Sequence, residues 1–407
     1  MPEEAKSGGG LLRRLTLTHA VLYGVGVTIG AGIYVLVGVA AGRSGMYAPL
    51  GFLAAAVAMS LTAMSFAELG TRMPVSASEA AYVEAAFRRR WLTIAMGLLV
   101  VVTATISAAT ISAGSVGYIG VFVPLPAASI IIIVVLSMGI VASLATTQSI
   151  AFAGAMTLIE VGGLIMIIGA GLGGDAVSRL PEMIPPMGDG AAWTALGGTT
   201  LIAVFAFIGF EHVVNIAEEL KDPNRTLPRA LFLTLSVTSL LYVLVVWVAV
   251  TAVEPAELAA SPAPLALVFQ QLTGLPLISM SVIAIVATLN GVVVHMIMIS
   301  RVLYGLARQG NLPKPLAQVN LTTRTPLVAT AAAVAAILIL TLAVPLEGLA
   351  EMASQGTLVI FAAINVTLLR IKARTGPAPA GAFDCPRWAP IAGLLSCLLL
   401  LLFSWLP

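Results

Sequence analysis

The sequence predicts an all-α integral membrane protein that crosses the bilayer about eleven times. Three observations carry this prediction: the scarcity of charge, the number of long apolar runs, and the sorting of basic residues between them. Of 407 residues, 59% are apolar and 9% are charged. A water-soluble domain carries about 25% charged residues, because its outside must be wetted. Most of this chain therefore faces something other than water. The formal net charge of +2 gives no sign of a nucleic-acid partner. Cys385 and Cys397 are too few for a disulfide framework and show no metal-ligand spacing.

Crossing a bilayer takes about 20 predominantly apolar residues in a helix. Such runs lie near 20–42, 48–70, 92–119, 127–147, 150–172, 194–217, 230–253, 279–305, 326–345, 348–370 and 388–406. Spans 4 and 5 are separated by a short polar break around Thr146–Ser149, and spans 9 and 10 by Pro345–Gly348. With the N-terminus placed in the cytoplasm, 18 of the 20 Lys and Arg fall in cytoplasmic segments, leaving Arg43 and Arg179 outside. Basic residues are retained on that side during insertion, so this imbalance supports both the topology and the span count. Eleven spans then put the C-terminus outside. Segment 76–90, ending in Arg88-Arg89-Arg90, is expected to lie along the inner membrane surface.

Two spans carry features a plain anchor would not need. Span 1 contains Gly24, Gly26, Gly30 and Gly32, a density that weakens a helix by about 1 kcal/mol per glycine relative to alanine. In lipid, unwound backbone is tolerated only where it lines a cavity or meets a ligand. Close helix packing through Gly26-x-x-x-Gly30 is the other reading. Span 6 reads Phe205-Ala206-Phe207-Ile208-Gly209-Phe210-Glu211-His212, with a glycine in mid-span followed closely by a carboxylate. An ionisable residue at that depth points to function. Glu211 could instead cap a broken half-helix, and the two roles are compatible. Spans 1 and 6 each open a block of five, and five being odd, the second block enters the membrane from the opposite side. This is the pattern of an inverted-topology repeat with a midplane site between discontinuous helices. The expected organisation is 1–19 as a cytoplasmic segment, 20–172 and 194–370 as the two five-helix repeats, and 388–407 as an additional helix.

Several ordered motifs resemble one known family. They are Gly30-Ala31-Gly32-Ile33 in span 1; Ala67-Glu68-Leu69-Gly70, Pro74 and Tyr82 around the exit of span 2; and Gly209-Phe210-Glu211 in span 6. Further along come Ala217-Glu218-Glu219, Lys221, Asp222-Pro223, Arg225 and Pro228, then Ser300-Arg301 to Arg308 with Gly310 and Leu312-Pro313. Over nearly its full length the chain resembles the amino acid–polyamine–organocation transporters, the amino acid permeases. The resemblance implies a LeuT-type five-plus-five fold with helices 1 and 6 discontinuous, working by alternating access in the plasma membrane. It implies that backbone around Gly30, Ala31, Gly32 and Ile33 binds the α-carboxylate and part of the α-amino group of an amino acid. Carbonyls near Phe205 and Ile208, beside Gly209, would take the rest of the ammonium. Phe205 would gate the outward side, while Glu218 and the run after it, with Arg301 and Arg308, would close the inner side. Phe207 and Phe210 read equally well as packing residues.

There are departures from the family. Many proton-coupled relatives carry a lysine in span 5, where this chain places Glu160. A carboxylate has the opposite charge, so the lysine mechanism does not transfer. Glu160, Glu211 or both could carry a coupling proton; Glu160 could equally be inert and hydrogen-bonded, or sodium or uncoupled exchange could operate. Most of the family has twelve spans, and this chain ends after the eleventh.

The implied function is secondary active transport of an amino acid, neutral for preference, with the proton as expected coupling ion and no cofactor. Exchange of an amino acid for an amine or polyamine is the alternative. A channel would want a repeated filter, and an enzyme a clustered nucleophile or a metal set such as H-E-x-x-H; neither is present. A non-transporting sensor stays open. His19, His212 and His295 show no metal-ligand spacing, though His212 stands where it could tune a proton on Glu211.

Overall fold

The computed structural model describes residues 13–29, 32–74, 78–144, 150–172, 175–320 and 322–404. Span 1 is two helices, α1 (Leu17–Ile29) and α2 (Gly32–Ser44). Then come α3 (Ala48–Arg72), the short α4 (Ser78–Phe87), α5 (Arg90–Gly120), α6 (Ala127–Leu144) and α7 (Ile150–Gly171). Span 6 is α8 (Gly190–Phe207) continued by a 3-10 segment, Phe210–Glu219. The chain goes on through α9 (Pro223–Ala252), the short α10 (Pro255–Ala260) and α11 (Pro264–Thr273), and α12 (Ile278–Arg308). It finishes with α13 (Leu327–Ala343), α14 (Leu346–Thr375) and α15 (Trp388–Phe403).

Each apolar run read from the sequence is mainly helical over its described residues, with a turn at Ile208 and Gly209 in span 6. Prolines in the first turn start α3, α9, α10 and α11, where the missing N–H has no helical partner anyway. One boundary needs correction: α14 begins at Leu346, so spans 9 and 10 are joined through Val344 and Pro345 alone. The expected break at Thr146–Ser149 lies outside the described residues. Among the described residues, eight stretches are long and apolar enough to cross a membrane, and Leu17–Ile29, Leu327–Ala343 and Trp388–Phe403 are shorter apolar helices. Large aliphatic side chains lie exposed along the outside, among them Ile133 and Ile140 on α6 and Leu395 and Leu402 on α15. Such a surface suits hydrocarbon rather than water.

Helix contacts reveal the repeat. Helix α1 packs on α9 as α8 packs on α3, and α5 packs on α13 as α12 packs on α6. The pairs α3 with α9, α5 with α12, and α6 with α13 each join equivalent members of the two halves. Exchanging the first five spans for the second five therefore maps these contacts onto one another, as an inverted repeat requires.

The basic residues gather at one end of the bundle. There Arg90 bonds Asn311 at 2.7 Å, while Arg370 and Arg374 donate to the Ala86 carbonyl at the end of α4 (3.0 and 2.9 Å). The chain before α1 is tied to the same end: Leu15 N–H donates to the Glu219 carbonyl and Lys221 N–H to the Leu15 carbonyl. At the opposite end Arg43 pairs with Glu347 and Glu351 of α14, and Arg179 reaches the Thr251 carbonyl.

Candidate functional site

The two broken spans cross with their backbones in contact. A Cβ on Gly32 would lie 2.6 Å from the Ala206 Cα, and one on Gly209 would lie 2.8 Å from the Val27 carbonyl oxygen. Gly209 also has φ of +123°, a conformation L side chains rarely adopt, so only glycine fits there. Other glycines of span 1 serve packing, since Gly26 abuts Thr157 of α7. The close-packing reading thus describes part of span 1, and the break expected around Gly30 and Ala31 lies outside the described residues. At the crossing α8 ends at Phe207 and the 210–219 segment begins, beside the described flanks of span 1 at Ile29 and Gly32. The N-terminal ends offer unpaired N–H groups and the C-terminal ends unpaired carbonyls. Gly32 and Ile33 open α2 and are buried. Gly30 and Ala31 lie outside the described residues.

Tyr242 of α9 bridges the crossing. Its hydroxyl lies 2.8 Å from the Thr28 carbonyl and 2.9 Å from the Ala206 carbonyl, so one O–H is shared between the last turns of α1 and α8. The Phe205 carbonyl, expected to meet an ammonium, accepts the Ile208 N–H at 3.1 Å.

Glu211 follows the break immediately. Its Oε2 accepts the Gly209 N–H at 2.9 Å, and its Oε1 lies 3.7 Å from His212 Nε2. The capping role foreseen for Glu211 is therefore filled, with His212 beside it. Glu211 borders a small cavity of ≈ 30 Å³, with Glu79 of α4, Thr103 and Ser107 of α5, His295 of α12 and Phe361 of α14 also in its wall. Phe210 and Phe361 meet edge to face, with ring centroids 5.5 Å apart. Phe207 packs on Tyr242 at 5.2 Å. Both phenylalanines are fully buried packing residues.

Glu160 sits on α7 facing α12. Asn290 donates to its Oε1 at 3.3 Å, and Oε2 is buried with no hydrogen-bond partner. The Glu160 backbone carbonyl accepts the Tyr34 hydroxyl at 2.7 Å, which joins α7 to α2. Phe205 is buried against α2, α5 and α12 residues such as Leu36 and Val292. Arg301 is exposed and, among the described residues, forms no ion pair. The run after span 6 makes its described link to span 1 through backbone at Leu15.

Two features escaped sequence reasoning. Tyr242 is a lone phenol in an apolar helix, and a buried Tyr O–H needs a partner, which was the available signal. Glu68, seen only as part of a motif, is fully buried within a charge cluster with Arg72, Lys372 and Asp384.

Comparison with known proteins places this geometry. The sequence model described as amino acid permease matches residues 15–407. The branched-chain amino acid permease BcaP of Bacillus subtilis is 29% identical over 425 residues, covering 96% of this chain and 88% of that protein. The vacuolar cationic amino acid transporter 2 of Arabidopsis thaliana is 31% identical over 401 residues, covering 90% of this chain and 60% of its own length. A crystal structure of a mutant manganese transporter from Eremococcus coleocola superposes with a TM-score of 0.60 at 15% identity, over 95% of this chain and 85% of that one. The last likeness is one of fold.

Proposed function

Because the chain belongs to the amino acid permease family, we propose that it moves a neutral amino acid across the cytoplasmic membrane by alternating access, driven by protons. The observation that carries this reading is the crossing of spans 1 and 6, where α8 ends and the 210–219 segment begins against the backbone of span 1. A zwitterion has one charge for each kind of end: its carboxylate suits N-terminal N–H groups and its ammonium suits C-terminal carbonyls. The N-terminus at Phe210 already holds a resident carboxylate, Glu211, through the Gly209 N–H. That leaves the start of α2 at Gly32 and Ile33, with Gly30 and Ala31 just before it in sequence, for the substrate carboxylate. The carbonyls around Phe205 and Ile208, beside Gly209, receive the ammonium.

Relatives carry names for both branched-chain and cationic substrates. The cavity wall carries Glu79, Glu211, His212 and His295 as well as Ile208, Met298, Ile360 and Phe361, and the apolar members are the ones that suit an uncharged side chain. Glu160 and Glu211 are the coupling carboxylates of this reading. Glu160 has an oxygen without a partner, and a proton is the smallest group that would neutralise it. In the gating scheme Phe205 closes the outer side, and the Glu218 run and Arg301 close the inner side. A cavity of ≈ 30 Å³ has room for little more than water, so substrate passage requires the half-helices to move. The tie between Leu15 and the 219–221 backbone supports α1 and the 210–219 segment moving together. The basic end of the bundle is the cytoplasmic one in this reading.

The test begins with thermal stability of purified protein against the twenty amino acids and common polyamines at two pH values. It continues with uptake into proteoliposomes under an imposed pH gradient. Stabilisation by neutral amino acids and accumulation abolished by a protonophore are expected. Stabilisation by polyamines alone would move the substrate to the amine class, and accumulation indifferent to the pH gradient would remove the proton.

A further inference from the structure

The wall of the cavity beside Glu211 contains polar atoms that the protein leaves unserved. Thr103 and Ser107, one turn apart on α5, have buried hydroxyl oxygens with no hydrogen-bond partner. Space for the Thr103 hydroxyl is made by Gly356 of α14, where a Cβ would come within 2.4 Å of Oγ1. A buried hydroxyl without a partner is costly, and few such groups survive in a native protein without a reason.

Across the cavity stands His295. Its Nδ1 lies 2.8 Å from the Gly291 carbonyl of its own helix. A carbonyl only accepts, so the hydrogen of this bond is on Nδ1. The neutral ring then presents Nε2 as a bare acceptor, and among the described residues nothing donates to it. The ring makes no ion pair among the described residues that would hold it charged. On the same wall, Val100, Ala104, Met298 and Ile360 are apolar. The cavity thus combines aliphatic side chains, the Glu79 and Glu211 carboxylates and His212 with an acceptor on α12 and hydroxyls on α5.

We propose that His295, with Ser107 and Thr103, forms a hydrogen-bonding subsite for the substrate side chain, so that this carrier prefers small hydroxyl amino acids over their aliphatic isosteres. A hydroxyl both donates and accepts: it can donate to His295 Nε2 while accepting from Ser107. An aliphatic side chain of the same shape leaves all three groups unserved, and a site built to bond a hydroxyl discriminates strongly against its absence. Threonine and valine are the decisive pair, being alike in shape and differing in one hydroxyl. The inference rests on the amino-acid reading above and specifies the side chain within it.

The experiment compares initial uptake of threonine and valine into proteoliposomes for the natural protein, His295→Asn and His295→Gln, each first checked for monodispersity and melting temperature. Threonine is expected to show the higher kcat/KM, by about tenfold, the worth of one good neutral hydrogen bond. Asn reproduces the amide near Nδ1 but has no atom at the Nε2 position, so His295→Asn should bring the threonine-to-valine ratio of kcat/KM down to about one. Gln extends a polar group to the Nε2 position, so His295→Gln should retain most of the preference. Valine favoured over threonine by the natural protein would overturn the proposal and leave the amino-acid reading standing. A preference unchanged in His295→Asn would overturn it equally. Neither amino acid nor any other binding or entering would take down the parent reading and this one with it. Should the variants not fold, the ratio in the natural protein still decides.

Discussion

Glu68 on α3 and Glu160 on α7 are both sealed from solvent at 0% exposure, and both belong to membrane-spanning helices. Around Glu68 every position is taken. Arg72 Nε and Nη2 reach its Oε1 at 2.8 and 2.7 Å, and Lys372 Nζ and the Cys385 N–H reach its Oε2, each at 2.8 Å. Lys372 turns also to Asp384 at 2.8 Å, and Arg72 bonds the Gly376 carbonyl at 3.0 Å. Glu160 has one long bond, from Asn290 at 3.3 Å, and an oxygen with none. The contrast separates structure from mechanism. A buried carboxylate with matched charges and full hydrogen bonding has no free-energy reason to change state, and it pins the connection after α14 to the end of α3. An underserved carboxylate gains from any proton or donor that arrives.

The widest test of this contrast is Glu68→Ala. It takes the buried anion from Arg72 and Lys372 and leaves them only the half-exposed Asp384, and removing one partner of a buried pair costs about 3–5 kcal/mol. Thermal unfolding in detergent should show a large fall in melting temperature. An unchanged melting temperature would mean that the cluster is ornamental. The converse substitution is Glu160→Gln. Gln keeps an acceptor for Asn290 and removes the charge, so stability should hold within about 1 kcal/mol. Uptake driven by a pH gradient should drop about tenfold, equivalent to about 1.4 kcal/mol. Undiminished, concentrative, pH-driven uptake in this variant would take Glu160 out of the coupling.

Tyr242→Phe is intermediate, a buried group that is fully bonded yet lies at the crossing. Losing the shared hydroxyl should cost about 1 kcal/mol of stability and loosen the link between α1 and α8. A melting curve and the KM for substrate would report the two parts separately. The smallest effect belongs to Asp384, half exposed at the edge of the Glu68 cluster. The hydrogen bond from Lys372 holds its carboxyl below the ordinary value of 3.8. A depressed folded value means that its contribution is complete above about pH 3.8 and fades as pH falls through the folded value. Stability measured between pH 5 and 7 should therefore not respond to Asp384→Asn through titration. A difference between variant and natural protein that varies across that range would show that another group governs the cluster.

These cases also mark how far the sequence could be read. The Gly209–Glu211 break was legible because a glycine and a carboxylate in mid-span violate the plain requirements of a lipid-facing helix. Capping of Gly209 by Glu211 is local, two residues apart, and was foreseen as one of two roles. The pairing of Glu68 with Lys372 joins positions about three hundred residues apart, and no periodicity records it. The same holds for Tyr242, whose acceptors lie on two other helices. At the same end, the backbone of Leu15, ahead of α1, pairs with Glu219 and Lys221 at the exit of span 6. Backbone pairing leaves almost no trace in side-chain identity.

The sequence by itself determined the membrane class, the apolar helical runs, the break in span 6 and the family. Each follows from quantities that accumulate along the chain: bilayer thickness against run length, charge per segment, glycine against helix continuity. Only the tertiary structure decided which buried polar groups are satisfied. It fills every bond of Glu68, leaves an oxygen of Glu160 bare, and fixes the hydrogen of His295 on Nδ1 so that Nε2 meets the cavity. Hydrogen bonding is short-ranged and directional, so the same residue is inert or poised according to atoms that only folding brings within 3 Å.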